Sequence, residues 1–191
     1  MKPLLALLLL CLAPAWCQGL NKKQVRDGNH VRPPPPLPVP QAVRVPLETI
    51  RQVERSFNNE ISSLAGVNEP MELMGDTRGV QLMDYGIVFT SEVSLVVTPG
   101  IMPGRPTIPP EMAARVHKLR VERMPLLKEH MMWMMRNMAA TFTQIPDSQQ
   151  LVLVVRLYYG AWEDTTGMPA QVVMRATRAS IAAGKIETEE R

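Results

Sequence analysis

The chain has 191 residues, 46% of them hydrophobic and 20% charged, with 21 Lys plus Arg against 18 Asp plus Glu and only two cysteines. One domain is the expectation at this length, and the composition excludes a wholly disordered chain. Two cysteines cannot build a disulfide-rich scaffold or a four-thiolate zinc site.

Residues 1–17, MKPLLALLLLCLAPAWC, place one cation at Lys2 before an apolar core from Leu4 to Ala13 and then small residues. This is the pattern of a secretory signal, shorter than the ~20 residues a membrane-spanning helix needs. Cleavage fits after Ala15 or after Cys17, so the mature chain keeps one cysteine or none and has no intrachain disulfide. Lipidation fits poorly, since Trp16 precedes Cys17 and Leu10 precedes Cys11, where a small residue is needed. An uncleaved anchor is the third alternative. The expected location is periplasmic or extracellular.

Residues 18–45 form a basic, proline-rich linker. They hold five cations (Lys22, Lys23, Arg26, Arg32, Arg44) and one anion (Asp27), a net charge of +4, whereas residues 46–191 hold 15 cations and 17 anions, a net −2. The basic character therefore belongs to the linker. A nucleic-acid reader would carry a basic stripe on its folded part, so no nucleic-acid partner is expected. The run PPPPLPVP, Pro33–Pro40, has six prolines in eight residues. It predicts a stiff polyproline II spacer first and a docking ligand second. The cations also offer peripheral attachment to a surface.

The single domain is expected over 46–191. Leu47, Ile50, Val53, Phe57, Ile61 and Leu64 recur at helical spacing and predict a helix over 46–65. In VQLMDYGIVFTSEVSLVV (80–97), a short strand over 80–84 and a longer one over 87–97 flank a bend at Gly86. Ile87, Phe89, Val93, Leu95 and Val97 share one strand face, opposite Thr90, Glu92 and Ser94. Residues 98–110, with five prolines and two glycines, form a loop.

Residues 111–142 predict a long helix with Val116, Leu119, Met124, Leu127, Met131, Met134, Met138 and Phe142 on one stripe, kinked or divided at Pro125. QLVLVVRLYY (150–159) reads as a strand covered on both faces, and AQVVMRAT (170–177) as its hairpin partner across the 160–169 turn. A short helix over 178–184 and a polar end, IETEER, complete the chain. The fold class is α+β: about four strands, antiparallel or mixed, with the long helices packed on one face.

Met131, Met134, Met135 and Met138 lie on one face of the long helix. Core packing is the preferred reading, and a Cu(I) site of thioether ligands in the periplasm is the alternative. No other metal or cofactor is expected. His130 lies about 100° from the direction of Met131, and His117 about 220° from His130, so the two cannot share an ion; both read as solvated. His30 falls in the linker. Signatures of zinc proteases, serine hydrolases, phosphate loops and dinucleotide sites are lacking, and Cys17 has no settled surroundings to activate it.

Glu163 and Asp164 are adjacent and point apart, which reads as a polar hairpin tip rather than an acid pair. Glu92 and Arg156 are candidates for a buried cross-sheet ion pair. The expected function is therefore non-enzymatic: an exported binding or envelope-associated protein with a protein partner or a second copy. An enzyme with its site under the 98–110 loop, over Glu92, Tyr85 or Arg156, is the alternative.

Three segments taken together resemble uncharacterised exported proteins of environmental bacteria: YGIVFTSEVSL (Tyr85–Leu95), the long helix running into QLVLVVRLYY, and VVMRATRASIAAGKIETEE (Val172–Glu190). The resemblance covers roughly residues 80–190 and implies export in a bacterium and an α+β domain. It assigns no activity and no functional residue.

Overall fold

The computed structural model describes residues 43–64, 71–98 and 108–191. The signal-like leader, nearly all of the linker with its proline run, Cys17 and His30, and most of the 98–110 loop lie outside them. In chain order the elements are α1 (Leu47–Ser63), β1 (Glu72–Leu73), β2 (Arg78–Leu82), β3 (Gly86–Ser94), α2 (Pro110–Thr141), β4 (Gln150–Leu157), β5 (Gln171–Thr177), α3 (Arg178–Ala182) and β6 (Glu187–Glu190).

One mixed sheet contains all six strands in the order β1-β3-β4-β5-β6, with β2 also paired to β3. β1 meets the last residues of β3 and β2 its first five, so the two share one edge. β3 and β4 run parallel, Ile87 beside Leu151 and Glu92 beside Arg156, and α2 is the crossover between them. The remaining pairings are antiparallel. Two strands escaped the sequence reading, β1 and β6. The end expected to be merely polar forms a charged edge strand, a composition that discourages pairing with another chain.

Alternation divides the sheet into two sets of side chains. Ile87, Phe89, Val93, Leu151, Leu153, Val155, Val172, Met174 and Ala176 belong to the core. The opposite set forms rows across the sheet: Arg78, Thr90, Val154, Val173 and Glu189 in one, Val80, Val88, Val152, Arg175 and Glu187 in the next. Of these, Val80, Thr90 and Arg175 are exposed, Val88, Val154 and Val173 half-buried and Val152 buried. β4 is thus covered on both faces only over Leu151–Leu153, where Val152 is buried; farther along, Val154 is half-buried and Arg156 exposed. β3 ends earlier than expected, which leaves Val97 exposed.

α1 buries Ile50, Val53, Phe57 and Ile61, while Leu47, expected on that stripe, is exposed in the first turn. The helix is fastened to β2 by polar side chains. Glu54 Oε1 accepts from Gly79 N at 2.7 Å and Asn58 Oδ1 from Thr77 N at 3.0 Å. Gly79 is needed for this approach, because a Cβ there would lie 2.5 Å from the Phe89 ring and 2.6 Å from Ile50. Gly86, with φ 143°, meets the backbone of Gln150 so closely that a Cβ would fall 1.8 Å from its carbonyl oxygen. The bend expected at Gly86 is therefore enforced by β4.

α2 is not divided at Pro125. Proline removes the hydrogen bond to the Val121 carbonyl, and both residues are exposed, so water can satisfy that carbonyl while the opposite side of the helix stays packed. That side buries Val116, Met124, Leu127, Met131, Met134, Met135 and Met138, together with Arg120, Arg123 and His130. No helix among the described residues is long and apolar enough to cross a membrane.

Candidate functional site

The richest cluster of polar groups lies where the parallel strands β3 and β4 end. Tyr158 and Tyr159 leave β4, Ser94 closes β3, and the loop before β5 carries Glu163. Above them α2 presents Arg120, one turn after Val116 on its buried face. Arg120 and Glu163 have side-chain exposures of 0% and 1%, with Nε and Oε2 2.5 Å apart. The hydrogen bond of the pair runs from Arg120 Nη2 to Glu163 Oε1 at 2.9 Å, beside the Nε–Oε2 charge contact.

The rest of the cluster completes this pair. Arg120 Nη1 donates to the Tyr158 carbonyl at 3.1 Å, Nη2 reaches Ser94 Oγ at 3.5 Å, and the guanidinium carbon stands 4.9 Å from the centre of the Tyr159 ring. Glu163 Oε1 also accepts from Gly160 N at 3.0 Å. Burial pushes the Tyr159 phenol up; Arg120 opposes this and Glu163 adds to it. The phenol stays protonated and donates to the Pro169 carbonyl at 2.7 Å. Next along α2, Arg123 Nη1 donates to the Leu95 carbonyl at 2.6 Å. The arrangement is a clamp that ties the 158–170 loop and the end of β3 to α2. Its carboxylate is enclosed out of water by the Arg120 guanidinium and the Gly160 amide, and this suits neither proton transfer nor attack on a substrate.

Glu163 is thus no part of a solvated hairpin tip. Asp164 is as expected, exposed, its Oδ1 accepting from Thr166 N at 2.9 Å; the Thr166 side chain first and this backbone bond second hold its carboxyl below the usual range. The two acids point apart. Arg120 was missed although it stands at helical spacing between Val116 and Leu127, and a charged residue interrupting an apolar stripe is the available signal that a buried partner exists.

The other expected residues are scattered. Glu92 and Arg156 are register neighbours, but on the sheet face away from the core, with Arg156 exposed and no ion pair between them. Tyr85 sits at the opposite end of β3, so Tyr85, Glu92 and Arg156 do not converge. Met131, Met134, Met135 and Met138 are each at most 1% exposed and pack in the core with Leu127 and Phe142. His117 Nδ1 lies 3.0 Å from the Asp164 carbonyl.

His130 is buried, contrary to the solvated reading, with Phe57 of α1 against its ring. Its ring is 5.8 Å from Phe57 and stacked 5.3 Å from Trp133, and its Nε2 has no hydrogen-bond partner. Burial lowers its pKa, with Glu60 opposing.

Two open clefts flank α3. One, of about 640 Å³, is lined by Ala139, Ala140, Ala179 and Ala182 with Arg136 and the ion-paired Arg178 and Asp147. The other, of about 540 Å³, lies at the hairpin end of the sheet between Tyr85, Gln150, Arg175, Thr177 and Lys185. Among the described residues no three acidic, histidine or cysteine side chains come together as a metal site. The chain matches no protein-family model, and no curated protein or solved structure is similar to it.

Proposed function

We propose that this chain is an exported binding protein of a bacterial envelope, acting without catalysis and held at its place of work through the basic, proline-rich segment before the domain. The leader-like residues 1–17 and the +4 charge of residues 18–45 support export and tethering. The observation that carries the non-catalytic part is the closure of the Arg120–Glu163 pair. Open sheets with parallel strands commonly place their reactive groups at the carboxyl ends of those strands. Here the acid and the base at that position neutralise each other in the interior.

The test is fractionation of the tagged protein from its own cells, with the intact mass measured. A product shortened to begin at Trp16 or Gln18 in the exported fraction is the expected result. A full-length product confined to the cytoplasm overturns the proposal. Capture of partners with and without residues 18–45 then assigns recognition to the linker or to the domain.

A further inference from the structure

We propose that the hairpin joining β2 to β3 is a membrane-docking tip that seats the domain on an anionic lipid surface; this rests on the export reading above and adds the partner. The tip carries an unusual density of exposed apolar side chains for a turn: Val80 is 55% exposed, Leu82 46%, Met83 48% and Tyr85 43%. Val80 and Leu82 project from the same side of β2, and Met83 and Tyr85 follow them in the turn itself. The turn is rigidly mounted. Asp84 takes a left-handed φ of 61°, Gly86 is wedged on Gln150, and the Tyr85 carbonyl accepts from Gln150 N at 2.8 Å.

Cations surround this tip. Arg175 and Lys185 line with Tyr85 the cleft of about 540 Å³ beside it, large enough for a phosphate-bearing headgroup. On the other side the chain arrives from the basic segment: Gln81 Nε2 donates to the Val43 carbonyl at 2.7 Å and Gln81 Oε1 accepts from Val45 N at 2.8 Å, with Arg44 exposed between them. Arg44 is the last of the five cations within residues 18–45, and it is the one described beside the apolar hairpin. Stable attachment to a bilayer takes two weak signals together, an apolar insertion and a polybasic stretch. The chain carries both: the apolar side chains stand at this corner, and the basic stretch precedes residues 43–45 in sequence.

A second copy of the chain fits the same surface less well. A two-fold axis along β3 that laid Val88 on its symmetry mate would also set Glu92 against Glu92, and beyond β4 the rows end in Arg175, Glu187 and Glu189 rather than apolar groups. The anions near the tip are Asp84 at its apex and Glu187, which is already bonded to Arg175 at 2.8 and 2.9 Å. That bond neutralises Arg175 as well, so Lys185 and Arg44 carry the attraction and Asp84 opposes it.

The experiment is co-sedimentation of the processed full chain with vesicles of phosphatidylcholine alone and of equimolar phosphatidylcholine and phosphatidylglycerol. Binding to the anionic vesicles, weakened by salt, is expected. The double substitution Leu82→Asp, Met83→Asp should weaken it about a hundredfold, and Tyr85→Ser about tenfold, with unchanged circular dichroism. Asp84→Asn should tighten it several-fold.

Three results overturn the proposal: wild type that stays in solution with both vesicles, a Leu82/Met83 variant that binds as wild type, so that the basic segment alone attaches the chain, or a wild-type dimer without lipid that the same variant renders monomeric. A processed, exported protein that ignores vesicles would remove the docking tip and leave the function proposed above intact. An unprocessed cytoplasmic protein would remove both.

Discussion

The two ends of the β3–β4 pair treat their polar groups in opposite ways. At the carboxyl end, Arg120, Glu163, Ser94 and the tyrosines are drawn into one closed network with its guanidinium and carboxylate out of water. At the hairpin end, Tyr85, Leu82 and Met83 stand in solvent beside an open cleft holding Arg175 and Lys185. Charge density alone would direct attention to the first end. Closure directs it to the second, because charges paired with each other out of water are not open to a ligand.

The largest expected effect comes from opening the closed end. Glu163→Gln or Arg120→Leu alone leaves a buried charge without its counter-charge and should cost about 3–5 kcal/mol, read from denaturant unfolding. The double variant Arg120→Leu, Glu163→Leu should recover most of that loss. If each single change cost under about 1 kcal/mol, the network would be looser than the geometry indicates.

Slightly smaller is the effect of truncating the sulfur-rich stripe. Met134→Ala should cost about 2–5 kcal/mol and Met134→Leu under about 1.5 kcal/mol, whereas Met132→Ala, at a site 36% exposed, should fall within about 0.5 kcal/mol. Calorimetric melting separates the three. Cu(I) or Ag(I) uptake lost with Met134→Leu would instead require the stripe to open.

Between the two ends, Gly86→Ala should cost about 3 kcal/mol by forcing β4 away from the hairpin, and it should move the amide signals of Tyr85 and Gln150 together. His130 gives the pH dependence. Burial lowers its folded pKa below the ordinary 6.5, so the unfolded chain takes up the proton first, and stability should fall as the pH drops from about 6.5 toward the folded value. His130→Phe should flatten that slope. Smallest is the Arg175–Glu187 pair, fully exposed, whose removal should leave the melting temperature within measurement scatter.

Much of the fold was legible because burial writes a period into the sequence. Ile50, Val53, Phe57 and Ile61 mark α1, and Ile87, Phe89 and Val93 mark β3, since each faces the core at the spacing of its element. β6 had no such mark: ETEE is held by backbone bonds to β5, which read the same through any side chain. β4 misled for a related reason. Val154 is only half-buried, and a valine there is indistinguishable in sequence from the buried Val152 or Val155.

The candidate residues fared according to range. Asp164 and the methionine face follow from local geometry and came out as expected. The partnership of Arg120 with Glu163 spans 43 residues and depends on how α2 crosses back over the sheet, which no local pattern encodes. His130 was misjudged because its burial is set by Phe57 on another helix.

The parallel pairing of β3 with β4 carries a kinetic consequence. Ile87 finds Leu151 only after the whole of α2 and its flanking loops have been made available, so the hairpin of β2 and β3 forms first and waits with one long side unpaired. During that wait, an apolar ribbon edge is open to neighbouring chains. Slow addition of denatured protein to a large refolding volume should therefore recover more native material than rapid mixing at high concentration.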